Sequence, residues 1–398
     1  MRIVLGLARA MGADRLLDVR SAHVDGCLYQ GQVSLDFAER LVDGGARVAI
    51  PTTLNVGALD LLHPERYRGD HEAGERGRRL MEAYVSLGCR PTWTCAPYQL
   101  PARPSFGEHV AWAESNAIVF ANSVLGARTE RYGDFIDICA AITGRAPDAG
   151  LHRAEKRRGE IVFRMSGVPE RLLREDVLFP VLGHLVGKRA GTMVPVLEGL
   201  PPATTEDQLK ALGAAAASSG SVALFHAVGV TPEAPSLYAA LGGRRPGHEV
   251  EVTTRDLVRA RDSLSTGTSS RLRAVSIGTP HASLAEFEKL IHLLGESRVR
   301  ADVEFFVSTG RHILRQIEDR GWLLALEEAG VRVVTDTCTY VTPMIPPGTG
   351  VVMTNSAKWA HYAPANIGAE VLFASTAECV RSAVLGTIWR DPELWPGE

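Results

Sequence analysis

Apolar runs of strand length alternate with stretches of helical periodicity through most of the chain, the pattern of a parallel α/β protein. In SLAEFEKLIHLLGESRVRADVEFFVST, Ser283 and Glu286 form a capping box, and Leu284, Phe287, Leu290, Ile291 and Leu294 recur on one helical face. Gly295 supplies the stop, and VEFFVST follows as a strand ending in hydroxyls. GWLLALEEAGVRVVTDTC repeats the unit, with Gly330 as terminator before the buried strand VRVV. A third unit, TEDQLKALGAAAASSGSVALFHAVGVTPEAP, reads as an alanine-rich helix, the strand SVALFHAV and a Pro-containing loop. Strands that end in polar residues direct attention to their carboxyl ends, where ligands gather in open α/β sheets.

A chain of 398 residues is too long for one compact core. Turn residues mixed with charge in APDAGLHRAEKRR (Ala146–Arg158) and in GGRRPGHEVEVTTRD near residue 250 mark the divisions, giving domains over 1–145, 146–255 and 256–398.

Composition narrows the partners. With 45% hydrophobic and 22% charged residues, the chain is globular. A net charge of −3 and a pI near 6.5 imply neither a polyanion nor an anionic membrane as partner. No apolar run reaches the roughly 18 residues of a membrane span. Arg2, Arg9 and Asp14 interrupt anything like a signal-peptide core, so a cytoplasmic protein is expected, without nucleic-acid or membrane partners. No G-x-G-x-x-G follows a strand and no G-x-x-x-x-G-K-[ST] occurs, so a nucleotide site has no motif behind it. Six cysteines without a C-x-x-C pair exclude a disulfide framework and a zinc ribbon, leaving reduced thiols or dispersed metal ligands. Cys139, in YGDFIDICAAITG, falls on the apolar side of a helix and reads as core, and Cys27 and Cys89 as structural.

Five stretches carry polar residues where neither a core nor a plain solvated face wants them: VRSAHVDG with Ser21 and His23; VAIPTTLNVG with Thr52, Thr53 and Asn55; the run from TWTCAPYQ to GARTERYGD; SIGTPHAS with His281; and the segment from Cys338 to Cys379. Each has a plain structural explanation, since Ser, Thr and Asn at strand ends commonly cap the next helix. Asn116 and Asn122 in ESNAIVFANSV sit among apolar residues, where an amide must find partners, and a ligand-facing role is expected of them.

PTTLNVGALDL, TCAPYQ, AWAESNAIVFANSVLGARTERYGDF, GRAPDAGLH, LFHAVGVTPEAP, GTPHASLAEFEKL, VVTDTCTYVTP, TNSAKWAHYAPANIGAEVLF and ECV fall in one order across nearly the whole chain, and together they resemble the catalytic large subunit of the aconitase X family. The resemblance implies an aconitase-like fold of three α/β domains around a central cluster-binding cleft, acting as a hydro-lyase. It implies an iron–sulfur cluster, [4Fe-4S] or [2Fe-2S], held by Cys95, Cys338 and Cys379, with Asp336, Thr337 and Thr339 supporting Cys338 or reaching the substrate. Three thiolates from distant loops leave an iron able to act as a Lewis acid on the substrate hydroxyl, which a compact electron-transfer motif does not.

Dehydrating a β-hydroxy acid also requires a base, a proton donor for the leaving hydroxide and donors for the carboxylate. Ser21, Thr52, Thr53, Asn55, Asn116, Asn122, Ser123, Arg128 and Lys358 are the candidate substrate contacts, and His23 and His281 the candidate proton-transfer groups. The family's proton-abstracting serine belongs to a small swivelling domain, and the chain ends at RDPELWPGE without room for one after Cys379. A small-subunit partner carrying that serine is therefore expected.

Two family activities fit: dehydration of cis-3-hydroxy-L-proline, and dehydration of mevalonate 5-phosphate, which would want basic groups such as Arg128 and Arg131 in the pocket. An Arg-, Ala- and Gly-rich composition of bacterial character tilts the expectation to the former. A non-catalytic metal-binding or sensing subunit is the alternative of another class. Its grounds are departures from the family pattern: a start short by one helix and without the acidic-glycine opening, Glu130 where asparagine is usual, and Ala357 where glycine is usual.

Overall fold

The computed structural model describes residues 1–346 and 348–395. The expected α/β class holds. Three parallel sheets carry the architecture, with a separate small antiparallel pair, Leu16–Asp18 with Arg145–Pro147. The first sheet places Ala22–Val24 between Thr52–Leu54 and Ala111–Trp112. The second runs His226–Ala227, Pro195–Glu198, Ile161–Gly167, His248–Thr253. The third has five strands in the order Val331–Val334, Glu304–Ser308, Leu272–Ile277, Val351–Thr354, Val371–Phe373.

Local signals read from the sequence are realised where hydrophobic period and caps agree. Ser283 and Glu286 close their capping box on the helix Leu284–Leu294, Phe287, Leu290 and Leu294 are buried, and Gly295 ends the helix with φ 53°. The helix Trp322–Glu328 and strand Val331–Val334 flank Gly330 (φ 87°). The alanine-rich helix is Glu206–Ser219, but the strand after it shrinks to His226–Ala227. Its neighbour explains the helix composition: Gly183, on the helix Leu178–Ala190, lies so close that a Cβ there would come within 2.2 Å of the Leu212 carbonyl.

One apolar cluster joins all three sheets' domains, containing Val56, Cys95 and Val119, then Phe163 and Leu182, then Phe306, Cys338 and Trp359. The site described next lies on this shared core. No helix among the described residues is long and apolar enough to cross a membrane.

Candidate active site

Cys95 and Cys338 approach from different sheets by the same local device. Two residues before each thiol a non-glycine residue takes left-handed backbone, Trp93 at φ 44° and Asp336 at φ 63°. Such residues are uncommon and persist where the surroundings over-determine them. Asp336 is held by a two-pronged pair with Arg311, Nε to Oδ1 and Nη2 to Oδ2 both at 2.6 Å, and by the Leu61 amide at 3.2 Å. The Gly57 amide donates to the Asp336 carbonyl at 2.7 Å, and Thr335 and Arg66 both engage the buried Asp60. The Cys338 loop is thus stapled to the loop that follows Thr52–Leu54.

His281 completes the group. Gly278 lets the chain turn beneath Ser308, whose carbonyl oxygen a Cβ would approach to 2.3 Å, and a cis Thr279–Pro280 bond leads into the histidine. The donor atoms of Cys95, His281 and Cys338 all lie within 4.8 Å of one another, and all three residues are buried. This is the only such group of three metal-capable side chains among the described residues. The His281 amide donates to Cys95 Sγ at 3.3 Å, while its ring shares hydrogen bonds with Thr94 Oγ1 (Nδ1, 3.1 Å) and the Thr337 carbonyl (Nε2, 3.2 Å). Burial drives the His281 imidazole down to about 3, so it is neutral, as a metal ligand must be. The hydrogen bond to Cys95 and then burial push the Cys338 thiol up, against the pull of Lys358.

Lys358 stands in the first turn of the helix Ala357–Ile367, where the helix dipole disfavours a cation. A buried ion pair with Glu114 holds it there, each side chain 4% exposed. Burial works to lower the Lys358 ammonium, but Glu114, Tyr340 and Cys95 outweigh it and keep it charged. Glu114 also caps the helix Ser115–Ser123 by accepting from the Ala117 amide at 2.8 Å, and it takes a hydrogen bond from Asn116. Asn116 in turn donates to the Cys95 carbonyl at 2.8 Å and accepts from Tyr98 at 2.6 Å. Glu114 was not singled out in the sequence; its signal is a carboxylate inside the apolar run AWAESNAIVF, at N-cap position.

At the carboxyl ends of the first sheet, His23 shares a 2.8 Å bond between Nδ1 and Thr53 Oγ1, while its buried Nε2 has no partner. Burial lowers this imidazole to about 3 as well. Asn55 donates to Asp25, and its own Oδ1 is buried without a partner. Asp25, half-buried, is pushed up to about 8 by burial and by the charges of Glu114 and Asp134. Asp25 was also passed over in the sequence, although it directly follows a strand in AHVDG.

Several expected site residues stand elsewhere. Cys379 does not join the other two thiols: its helix, Thr376–Leu385, packs it in a separate apolar cluster with Val275, Ile277, Phe287 and Met353. Burial and then Glu378 raise that thiol, and its place in this second cluster keeps it out of the Cys95, His281 and Cys338 group. Asn122 has every hydrogen-bonding position filled, donating to the Thr129 and Ala223 carbonyls and accepting from the Thr129 amide and Arg157. Ser123 accepts from the Phe225 amide, and Thr52 donates back to the Ile50 carbonyl at 2.9 Å. Ser21, half-buried, opens the strand Ala22–Val24 and uses its carbonyl to accept the Ala111 amide. Arg128 donates to the His152 carbonyl and lines a different cavity with Arg15, His109 and Asp148. Thr337 and Thr339 bond to Thr342 and to Ser276 and Trp359, so they brace the Cys338 loop.

A parallel α/β chain whose domains share a buried two-thiol, one-imidazole group has a donor set able to hold a metal ion. Family models match it in three consecutive segments: aconitase X first domain over residues 1–155, second domain over 159–262 and third domain over 272–385. It is 43% identical over 389 residues to cis-3-hydroxy-L-proline dehydratase of Pseudomonas aeruginosa, covering 97% of this chain and 67% of that protein. The corresponding values for cis-3-hydroxy-L-proline dehydratase of Hypocrea jecorina are 41%, 97% and 65%. For the phosphomevalonate dehydratase large subunit of Methanothermobacter thermautotrophicus they are 37%, 96% and 93%. The crystal structure of Thermococcus kodakaraensis aconitase X in its holo-form superimposes with a TM-score of 0.86 at 32% identity, covering 96% of this chain and 94% of that one. The chain belongs to the aconitase X family.

Proposed function

We propose that this chain is the large component of an aconitase X-type hydro-lyase that removes water from cis-3-hydroxy-L-proline. The observation that carries the reading is the convergence of Cys95, His281 and Cys338, beside the charged Lys358, on the core shared by the three domains. Two buried thiols and a neutral imidazole fit an iron–sulfur cluster, and Cys95, Cys338 and His281 would hold it. When bound, such a cluster supplies the Lewis acid that withdraws the departing hydroxyl. Lys358 offers a fixed positive charge for the substrate carboxylate, and the free Nε2 of His23 offers a proton-transfer site. His281 belongs to the donor set by position: with Nε2–H donating to the Thr337 carbonyl, its Nδ1 lone pair is the one left to a metal, in exchange for the hydrogen bond with Thr94.

Two observations favour the amino acid over a phosphate ester. The hydroxyproline dehydratases are the more similar relatives, at 43% and 41% against 37%. The arginines of GARTER are also committed elsewhere, Arg128 to the His152 carbonyl and Arg131 to the Ala217 carbonyl. Lys210, the other buried cation near the donor set, is already neutralised by Asp207 and Glu286.

This chain spans 67% and 65% of the two hydroxyproline dehydratases but 93% of the phosphomevalonate large subunit. A small partner carrying the proton-abstracting serine, in a cytoplasmic two-component enzyme, belongs to this proposal. Co-expression with a neighbouring small open reading frame, anaerobic purification and assay of both substrates tests the reading. A brown pair that dehydrates cis-3-hydroxy-L-proline supports it. Turnover of mevalonate 5-phosphate alone overturns the substrate, and colourless protein with stoichiometric zinc overturns the enzyme.

A further inference from the structure

The three strands of the first sheet deliver hydrogen-bond acceptors to one edge. Asp25 follows Ala22–Val24, Asn55 follows Thr52–Leu54, and Glu114 follows Ala111–Trp112. The carboxyl edge of a parallel sheet is where ligands collect. Glu114 is spent on Lys358, Asn116 and its helix cap. Asp25 is not: only its Oδ1 is taken, by the Asn55 amide, and the side chain is half-exposed. The Asn55 Oδ1, on a residue 3% exposed, has no donor, and a buried carbonyl oxygen without one is left with its desolvation uncompensated. A carboxylate and an unfilled amide oxygen side by side want a cation that brings hydrogen-bond donors.

We infer that Asp25 and Asn55 form the pocket for the substrate's secondary ammonium, and that Asp25 is the residue by which this site selects a cyclic amino acid. The inference rests on the proposed function and deepens it. A ring NH2+ carries two donors, one for Asp25 Oδ2 and one for Asn55 Oδ1, and its charge compensates a carboxylate that lies within the field of Glu114 and Asp134. The upward push on Asp25 agrees with a site that lacks its cation. Lys358 then faces the substrate carboxylate, so a zwitterion meets opposite charges at its two ends. A mevalonate phosphate has no cation to offer Asp25 and would place its negative charges among carboxylates.

The probes are L-proline, which keeps ring, carboxylate and ammonium but has no hydroxyl to lose, and tetrahydrofuran-2-carboxylate, in which an ether oxygen replaces the ammonium. Their binding to the iron-loaded complex is measured by calorimetry. L-proline is expected to bind at least about tenfold more tightly, and Asp25→Asn to erase the difference, as a lost charged hydrogen bond predicts. Asp25→Glu, which keeps the charge, is expected to retain part of it, and melting temperatures show that both variants are folded. In turnover, Asp25→Asn raises KM for cis-3-hydroxy-L-proline more than it lowers kcat. Equal affinity for the two probes, no binding of L-proline, or an Asp25→Asn protein that still discriminates between them overturns the inference. A complex that dehydrates hydroxyproline while Asp25→Asn keeps its KM refutes the pocket alone. A complex that turns over only mevalonate 5-phosphate refutes the proposed function itself.

Discussion

The helix Ser115–Ser123 carries two buried asparagines, six residues apart, with opposite fates. Asn122 belongs to a closed network. Its amide is fully used, Arg157 grips both its side-chain and main-chain oxygens, and Arg157 is neutralised by Glu233 with Nε to Oε2 at 2.8 Å. Asn116 belongs to an open one. It joins Tyr98, Glu114 and the Cys95 carbonyl, and around that network stand the unpartnered Nε2 of His23, Oδ1 of Asn55 and hydroxyl of Thr279. Both regions are buried and polar, so burial and polarity do not distinguish a site from a scaffold. The difference is the gathering of unfilled hydrogen-bonding capacity from several residues around one network, which a binding site requires.

The comparison breaks most sharply at Glu114. Glu114→Ala leaves Lys358 as an uncompensated buried charge, which costs about 3–5 kcal/mol, and removes the support of Asn116 on the Cys95 loop. Denaturant unfolding should show the loss, with iron retention falling about tenfold or more, as for other residues that orient ligands. His23→Gln is its opposite: the amide can still meet Thr53, so unfolding free energy should barely change while kcat falls about a hundredfold. Should His23→Gln keep its turnover, the free Nε2 has no part in the reaction. Asn122→Ala should lower stability by about 2 kcal/mol yet leave kcat per folded molecule unchanged; a loss of kcat at constant stability would erase the distinction drawn here.

Acid provides a further test across both regions. Burial holds His23, His152 and His281 at about 3, and His184 and His312 at about 4, against an ordinary value of 6.5. The unfolded chain binds these protons and the folded chain does not, so their contribution is complete above pH 6.5 and is lost as pH falls toward 3. Asp25, raised to about 8, and Asp137, raised to about 6, work in the opposite sense, being protonated when folded and ionised when unfolded. Burial also lowers His109, His226 and His361 and raises Asp134, Glu286 and Asp336, so with eight imidazoles against five carboxyls the melting temperature should drop between pH 6.5 and 4. A flat or rising profile would contradict the neutral state assigned to the buried histidines.

The sequence was most legible where local and global signals coincide. The capping box at Ser283, the apolar period after it and the strand Glu304–Ser308 could be read because side-chain periodicity and caps are local properties. Cys95, Cys338, His281 and Lys358 were found as residues, the thiols through family resemblance, because thiols, imidazole and amine announce chemistry by type. The meeting of Cys95 with Cys338 was also read through that resemblance, but the place of His281 in the group was not legible, since residues 95, 281 and 338 meet only through three separate loops. Asn122, Ser123 and Arg128 misled for the converse reason: a polar residue in an apolar run shows that a partner must exist, and nothing local says whether that partner is Thr129, Phe225 or a substrate. Asp25 and Glu114 were missed because a carboxylate after a strand looks like an ordinary turn or cap, and Glu114 is indeed a cap as well.

Cys379 sets the most direct trial. Anaerobically purified chain should bind iron and sulfide, and the content of Cys338→Ser, Cys95→Ser and Cys379→Ser proteins can be measured beside it. The account predicts that the first two are colourless and that Cys379→Ser stays brown with the iron of the unaltered chain. Full iron in Cys338→Ser, or loss of iron from Cys379→Ser alone, would contradict a centre built on Cys95, His281 and Cys338.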